Sequence, residues 1–340
     1  MLIRPRIVAT SPIGRRNLLA AGLPFLLAAR ASWGADPAPA RIGWLKIQGR
    51  THTPGQLKAF RAGLGKLGRV EGRDYMLVER YADGDEARLP GLAAELLAAG
   101  VGIIVATSQP SIAAAARVTK DVPVIGRMVD DPIASGMARS LARPGGNVTG
   151  VYTMTEELNP KRLALLKEVV PAMRRVGVLL RQDFPSVENA AHAWQVAVAA
   201  ARQLDLDLIA LNARSADAIA AAFDAAEAKH VQGIMTFRNP TVVTYLTLIA
   251  GLCLKHRLPA VFDAREYVEA GGLISYGPNI DATYGQLATY ADKLLHGTAP
   301  GKLPIEEPTI FEMVLNRRTA DKIGVVLPPD LLVRADEVIE

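Results

Sequence analysis

From Arg41 onward, short apolar runs alternate with longer helical stretches, and this rhythm limits the architectures open to the chain more than any other feature. The runs are Ile42–Ile47, Tyr75–Arg80, Gly102–Ala106, Pro123–Val129, Val176–Leu180, Leu206–Leu211, Gly233–Phe237 and Pro259–Phe262. Between them lie Gln56–Leu67, Ala87–Ala99, Ser111–Thr119, Lys161–Val169, Val187–Leu204, Ala216–Lys229 and Val242–His256, all with helical composition. Strands this short, separated by helices, predict parallel sheets built from right-handed βαβ units. The runs are continuously apolar rather than alternating, as expected when helices cover both sheet faces.

The rhythm breaks at three places: Arg143–Gly150, Gly271–Asn279 and Pro300–Pro308, each dense in Pro or Gly. A helix over Asp281–His296 separates the last two, and a strand (Phe311–Asn316) and a short helix (Arg317–Ile323) follow. Three breaks predict an α/β chain of two doubly wound parallel-sheet lobes joined by three crossings. The N-terminal lobe is expected over 41–150 plus about 277–305, and the C-terminal lobe over 151–276 plus about 306–340.

Residues 1–35 read differently. A basic stretch ends in Arg15–Arg16, and the apolar run Leu18–Ala29 and small residues follow. Twelve residues rise about 18 Å as a helix, short of a ~30 Å hydrocarbon core, so this order predicts an export signal rather than a membrane span. Gly14-Arg-Arg-Asn-Leu-Leu resembles a twin-arginine signal, with the general secretory route as the alternative. Cleavage is open among Ala31, Gly34, Ala35 and Ala40. The segment also accounts for the basic balance. The whole chain carries a formal net charge of +5, and Arg4, Arg6, Arg15, Arg16 and Arg30 all lie in this segment, which has no acidic residue. The remainder is neutral by count, so no electrostatic case for nucleic acid remains.

Several chemistries are unsupported. Cys253 is the single cysteine, and the five histidines are scattered without metal-ligand spacing, so no metal or cofactor is expected. No Gly-x-Ser-x-Gly elbow or other spaced nucleophile–base pair occurs, so the chain does not read as an enzyme. Gly63-Leu-Gly-Lys-Leu-Gly68 spells a dinucleotide pattern but follows a helix instead of a strand, which makes its glycines helix C-cap residues.

The body resembles the periplasmic solute-binding proteins of ABC transporters, specifically the tryptophan-binding-protein-like family with the type I periplasmic binding protein fold. The resemblance rests on Gly72-Arg-Asp-Tyr, Arg88-Leu-Pro-Gly-Leu, Asp131-Pro-Ile-Ala-Ser-Gly, Ser140–Gly150, Lys161-Arg-Leu-Ala-Leu-Leu-Lys, Arg265–Asn279, Pro304-Ile-Glu-Glu-Pro-Thr and Leu331–Ile339. It spans about residues 41–340. It implies two lobes closing on a small-molecule ligand, delivery to ABC permease subunits in the membrane, and no chemistry. A periplasmic monomer that binds no nucleic acid is the corresponding expectation. An extracytoplasmic sensor on the same fold is the runner-up, and an α/β enzyme a more distant one.

In open α/β sheets ligands bind beyond the C-terminal ends of the strands, where helix N-termini offer N–H groups. Those ends nominate Gln48, Thr107, Ser108, Gln109, Asp130, Asp131, Arg181, Asp183, Phe237, Asn239 and Asp263 as ligand-binding residues. Thr107-Ser-Gln-Pro-Ser111 suits a carboxylate, with plain helix capping by Ser108 or Ser111 as the structural alternative. Asp130 or Asp131 suits an ammonium. Arg181 and Arg238 depart from the family pattern and, if they face the cleft, imply a second acidic group on the ligand.

Overall fold

The structure, a computed structural model, describes residues 38–153, 157–181 and 188–340, with side chains of the last stretch described from residue 194. The export-signal reading and Asp183 lie outside the described residues. The elements run β1 (Ala40–Lys46), α1 (Gly55–Lys66), β2 (Tyr75–Tyr81), α2 (Leu89–Ala98), β3 (Ile103–Ala106), α3 (Gln109–Val118), β4 (Val124–Met128) and β5 (Val148–Tyr152). Then come α4 (Asn159–Val169), β6 (Arg175–Leu180), α5 (Glu188–Gln203), β7 (Asp207–Asn212), α6 (Ala216–Ala228), β8 (Gly233–Thr236), α7 (Pro240–Thr244), α8 (Leu246–Lys255), β9 (Ala260–Phe262) and α9 (Arg265–Glu269). The chain closes with β10 (Ile274–Pro278), α10 (Ile280–Leu295), β11 (Phe311–Asn316), α11 (Arg317–Ile323), α12 (Pro329–Arg334) and β12 (Glu337–Ile339).

Two sheets form. One has the order β2-β1-β3-β4-β5 and the other β12-β11-β10-β9-β8-β6-β7. The pairing is parallel except between β10 and β11, which meet antiparallel. The apolar runs are buried on both faces: β3, β4 and β8 have no exposed residue. After β5 the chain leaves the first sheet for the second, and after β10 helix α10 returns to pack on α1, β4 and β5 before β11 rejoins the second sheet.

Two strands lie where the sequence reads as breaks in the rhythm. β5 begins inside the stretch Arg143–Gly150, and β10 occupies most of Gly271–Asn279. Gly and Pro lower intrinsic strand preference there, but pairing with buried neighbours overrides it. Gly150 has φ +139, and a Cβ on it would stand 2.2 Å from the carbonyl oxygen of Gly126, so only glycine lets β4 and β5 approach so closely. The glycines of α1 also divide. Gly68 (φ +79) is a C-cap residue, donating to the carbonyl of Gly65 at 3.0 Å. Gly63 instead lies inside α1, where a Cβ would come within 2.7 Å of the Ala288 Cβ on α10. It is a helix-crossing residue.

Candidate functional site

The C-terminal ends of strands from both sheets converge on a buried polar cluster. Lys46 ends β1, Arg127 is the penultimate residue of β4, Arg238 follows β8, and Asp263 follows β9. Glu266 and Tyr267 lie on α9, and Tyr284 lies in the second turn of α10. Trp44 on β1 packs its ring 5.6 Å from that of Tyr284 and 5.6 Å from that of Phe60, forming an aromatic wall.

The charges in this cluster are partly matched. Arg238 donates through Nη1 to Oδ2 of Asp263, and the two side chains are 5% and 2% exposed. Burial alone would push the Asp263 carboxyl up, but Arg238, Arg162 and Arg127 outweigh it and hold the group below its ordinary range. Burial likewise opposes the Arg238 charge, and Asp263, Tyr267 and Glu266 more than restore it. Arg162 on α4 is held by the Tyr276 carbonyl at 2.8 Å and by Oδ1 of Asn159 at 2.8 Å. Lys46 donates to Thr53 Oγ1 at 2.9 Å and to the carbonyls of His52 and Thr53. Burial lowers its pKa to about 8, against a smaller upward pull from Glu266.

Arg127 is different. It is 3% exposed, its buried Nε has no hydrogen-bond partner, and its guanidinium makes no ion pair among the described residues. Burial, with the like charge of Arg238 second, pulls its pKa down. Oδ1 of Asp263, Oε2 of Glu266 and the hydroxyl of Tyr267 are also buried without a hydrogen-bond partner. Burial pushes the Glu266 carboxyl up despite Arg238. Such groups each cost roughly 1–3 kcal/mol when left unmade, and a charge costs more. A native interior tolerates few of them, and here they share one location.

Two contacts tie the first sheet's loops to the second sheet's at the edge of this cluster. Nε2 of His52, after β1, lies 2.7 Å from the carbonyl of Val243 on α7, and burial lowers the pKa of the ring. Since a carbonyl can only accept, Nε2 carries the proton in this contact. Arg181, after β6, bridges to Glu86, after β2, at 3.0 Å.

The residues nominated from sequence fall into three groups. Three have side chains committed to capping. Ser108 Oγ accepts from the Ser111 N–H at 3.4 Å at the start of α3, Asp131 Oδ1 accepts from Ile133 and Ala134, and Asn239 Oδ1 accepts from Thr241 and Val242. Others are held by neighbours: Gln109 Oε1 accepts from the Val129 N–H, Arg181 pairs with Glu86, and Phe237 is buried edge-on to Trp194. The third group retains unused polar capacity. Thr107 is buried with its hydroxyl 3.5 Å from the Leu45 carbonyl, Gln48 and Asp130 make no side-chain hydrogen bond among the described residues, and Asp263 keeps Oδ1. Burial raises the Asp130 carboxyl.

Replacing Ser108 with alanine removes the α3 cap, and folding stability should fall by about 1 kcal/mol with the affinity of the folded protein for its ligand unchanged. Calorimetric titration beside thermal melting checks this. Weakened affinity at an unchanged melting temperature would assign the hydroxyl to the ligand instead.

Sequence reasoning missed Lys46, Arg127, Glu266, Tyr267 and Tyr284. A signal for two of them was present: Arg127 stands inside Pro123–Val129 and Lys46 inside Ile42–Ile47, lone cations in strands otherwise apolar. Among the described residues no cluster of His, Cys, Asp and Glu could hold a metal ion, and no helix is long and apolar enough to cross a membrane.

A family model described as ABC transporter substrate binding protein matches residues 55–339. The chain is 22% identical over 267 residues to a tyrosine-binding protein of Clostridioides difficile, covering 77% of this chain and 74% of that one. Among solved structures it resembles an ABC domain from Streptococcus pneumonia in complex with L-Trp, with a TM-score of 0.79, 24% identity, and coverage of 89% of this chain and 100% of that one. A conserved domain protein from Vibrio cholerae gives a TM-score of 0.78 at 23% identity, covering 88% and 99%.

Proposed function

This chain belongs to the ABC transporter substrate-binding protein family, and on that premise we propose that it captures a small carboxylate-bearing ligand between its two sheets and delivers it to a membrane permease. The observation that carries the reading is the set of buried, unpartnered polar groups contributed by both sheets: Arg127 from the first, Asp263 and Glu266 from the second. A ligand carboxylate on Arg127 supplies the missing anion, and Asp263 Oδ1 and Glu266 Oε2 accept from ligand donors. Thr107, Gln48 and Asp130 stand at neighbouring strand ends with capacity to spare. Charge-assisted hydrogen bonds of this kind, with burial against Trp44 and Tyr284, can supply the ~8 kcal/mol of micromolar capture.

In this reading the two lobes are 41–150 with about 277–305, and 151–276 with about 306–340. They open and close by a hinge at the three crossings. His52–Val243 and Arg181–Glu86 hold the closed form. The leader directs export to the periplasm, where the protein acts as a monomer, without nucleic acid and without catalysing a reaction.

Thermal-shift screening of amino acids, mono- and dicarboxylates, aromatic acids and neutral sugars, followed by solution scattering with any compound that responds, tests the reading. A carboxylate-bearing compound should raise the melting temperature and reduce the radius of gyration. Stabilisation by neutral sugars alone, or binding without compaction, would refute it.

A further inference from the structure

A second concavity lies away from the strand ends described above. A cavity of about 610 Å³ opens between the end of α3, the loop after β4 and the residues leading into β5. Its volume falls in the roughly 300–1,000 Å³ usual for small-ligand sites. Helix α3 starts at the C-terminal end of β3, so its last turn stands at the opposite end of the parallel sheet, beside the entrance to β5. The walls are tied to one another. Asn147, 9% exposed, donates through Nδ2 to the carbonyls of Thr119 at 3.0 Å and Val122 at 2.9 Å. The Gly145 N–H donates to the Gly301 carbonyl at 3.2 Å.

Charge sets this cavity apart from the rest of its sheet's surface. From Arg50 to Arg88 every arginine is paired with a carboxylate: Arg50 with Glu79, Arg61 with Glu71, Arg69 with Asp292, Arg73 with Asp74, Arg80 with Glu95 and Arg88 with Asp83. The arginines at the cavity are not. Arg117 lines it from the last turn of α3, and Arg139 lays its Cδ 3.1 Å and its Nε 3.4 Å from where a Cβ on Gly145 would stand. Neither side chain makes an ion pair or hydrogen bond among the described residues. Lys120 holds its ammonium at the same helix end by donating to the Ala116 carbonyl at 2.6 Å. Asp121 is the acidic residue of the lining, so three cations border the cavity with one carboxylate. A phosphoryl group has three terminal oxygens and a charge of about −1.5 to −2. It can engage two guanidinium forks and an ammonium together, which a single carboxylate with two oxygens cannot. Ala113, Met137 and Val148 give the same cavity an apolar wall for an organic group. We propose that this cavity is a second binding site, for a soluble phosphomonoester, with the phosphoryl oxygens on Arg117, Lys120 and Arg139. It is independent of the ligand assigned to the cleft.

Calorimetric titration of the purified full chain with phenyl phosphate, inorganic phosphate and benzoate tests the proposal. Phenyl phosphate should bind, and Arg117→Ala should weaken it by about 10-fold, the low end for one charge-assisted hydrogen bond because the arginine is exposed. Gly146→Leu should abolish the binding by filling the cavity, with the melting temperature unchanged, because a Cβ at that position meets nothing within 4 Å. Benzoate held in the cleft is told apart by this variant, which leaves such binding intact. Inorganic phosphate should bind more weakly than phenyl phosphate, since it leaves the apolar wall bare. Phenyl phosphate binding that survives both variants lies elsewhere, the cleft included, and overturns the second site. Benzoate that binds as tightly as phenyl phosphate and is lost in Gly146→Leu overturns the phosphoryl assignment, and equal affinity for inorganic phosphate overturns the organic half of it. Retention on phosphatidic acid vesicles without binding of phenyl phosphate would give the cations to a lipid headgroup and overturn the soluble ligand. No response to any of these probes overturns the proposal and leaves the cleft reading untouched.

Discussion

Replacing Asp263 with alanine should cost about 3–5 kcal/mol of folding stability, the usual consequence of removing one partner from a buried ion pair. Arg238 would then sit 5% exposed with no carboxylate, beside an Arg127 that already has none. The expected result is a fall in melting temperature of more than about 5 °C, or failure to accumulate as folded protein. The cause is separable from cavity formation. Asp263→Leu combined with Arg238→Met removes both charges and keeps most of the volume, and it should recover most of the loss. If the double variant is no more stable than the single one, unpaired charge is not the reason. The pH dependence has a definite sign. Asp263 titrates lower in the folded protein than the ~3.9 of an unfolded aspartate, so the pair stabilises fully above that value. Its contribution is lost as pH falls through the lowered folded value, and the gap between parent and Asp263→Ala should narrow in acid.

Gly277→Ala should be nearly as damaging for a steric reason. Gly277 lies on β10, where a Cβ would stand 2.0 Å from the carbonyl oxygen of Asp263 and 3.4 Å from the Arg162 guanidinium. The near atom is backbone, so relief requires β9 and β10 to separate or the Asp263 connection to shift. Overpacking of this kind costs typically 1–3 kcal/mol and sometimes more, and a backbone obstacle places this substitution at about 3 kcal/mol. Because the displaced residue carries the Arg238 partner, ligand affinity should fall with stability. Thermal melting and calorimetric titration of the variant check both. A melting temperature within about 1 °C of the parent would show that the strands part at little cost.

Much of the fold was legible because its signals are local. Apolar runs in 42–129 and 176–262 became strands, and the intervening stretches became helices whose ends moved by only a few residues. One helix expected over Val242–His256 instead divides into α7 and α8 at Tyr245. β5 and β10 escaped notice because the Gly and Pro in and around them carry little strand preference of their own, and their burial comes from partners distant in sequence: Val124 opposite Val148, Ile274 opposite Val261.

The candidate site divides along the same line. That ligand groups belong at the C-terminal ends of parallel strands follows from connectivity and helix dipoles, and sequence placed Thr107, Asp130 and Asp263 there. Which side chains at those ends stay free is another matter. Ser108, Asp131 and Asn239 turned inward to cap their own turns, a choice set within three residues but invisible in composition. Arg127 and Arg238, 111 positions apart in the numbering, come under each other's charge only because β4 and β8, strands of different sheets, end near one another. By itself the sequence determined the alternating α/β chain, the family resemblance, and a body with no net charge. Tertiary structure alone decided how that neutral total is distributed, since long-range packing buried Arg127 with no salt-bridge partner among the described residues.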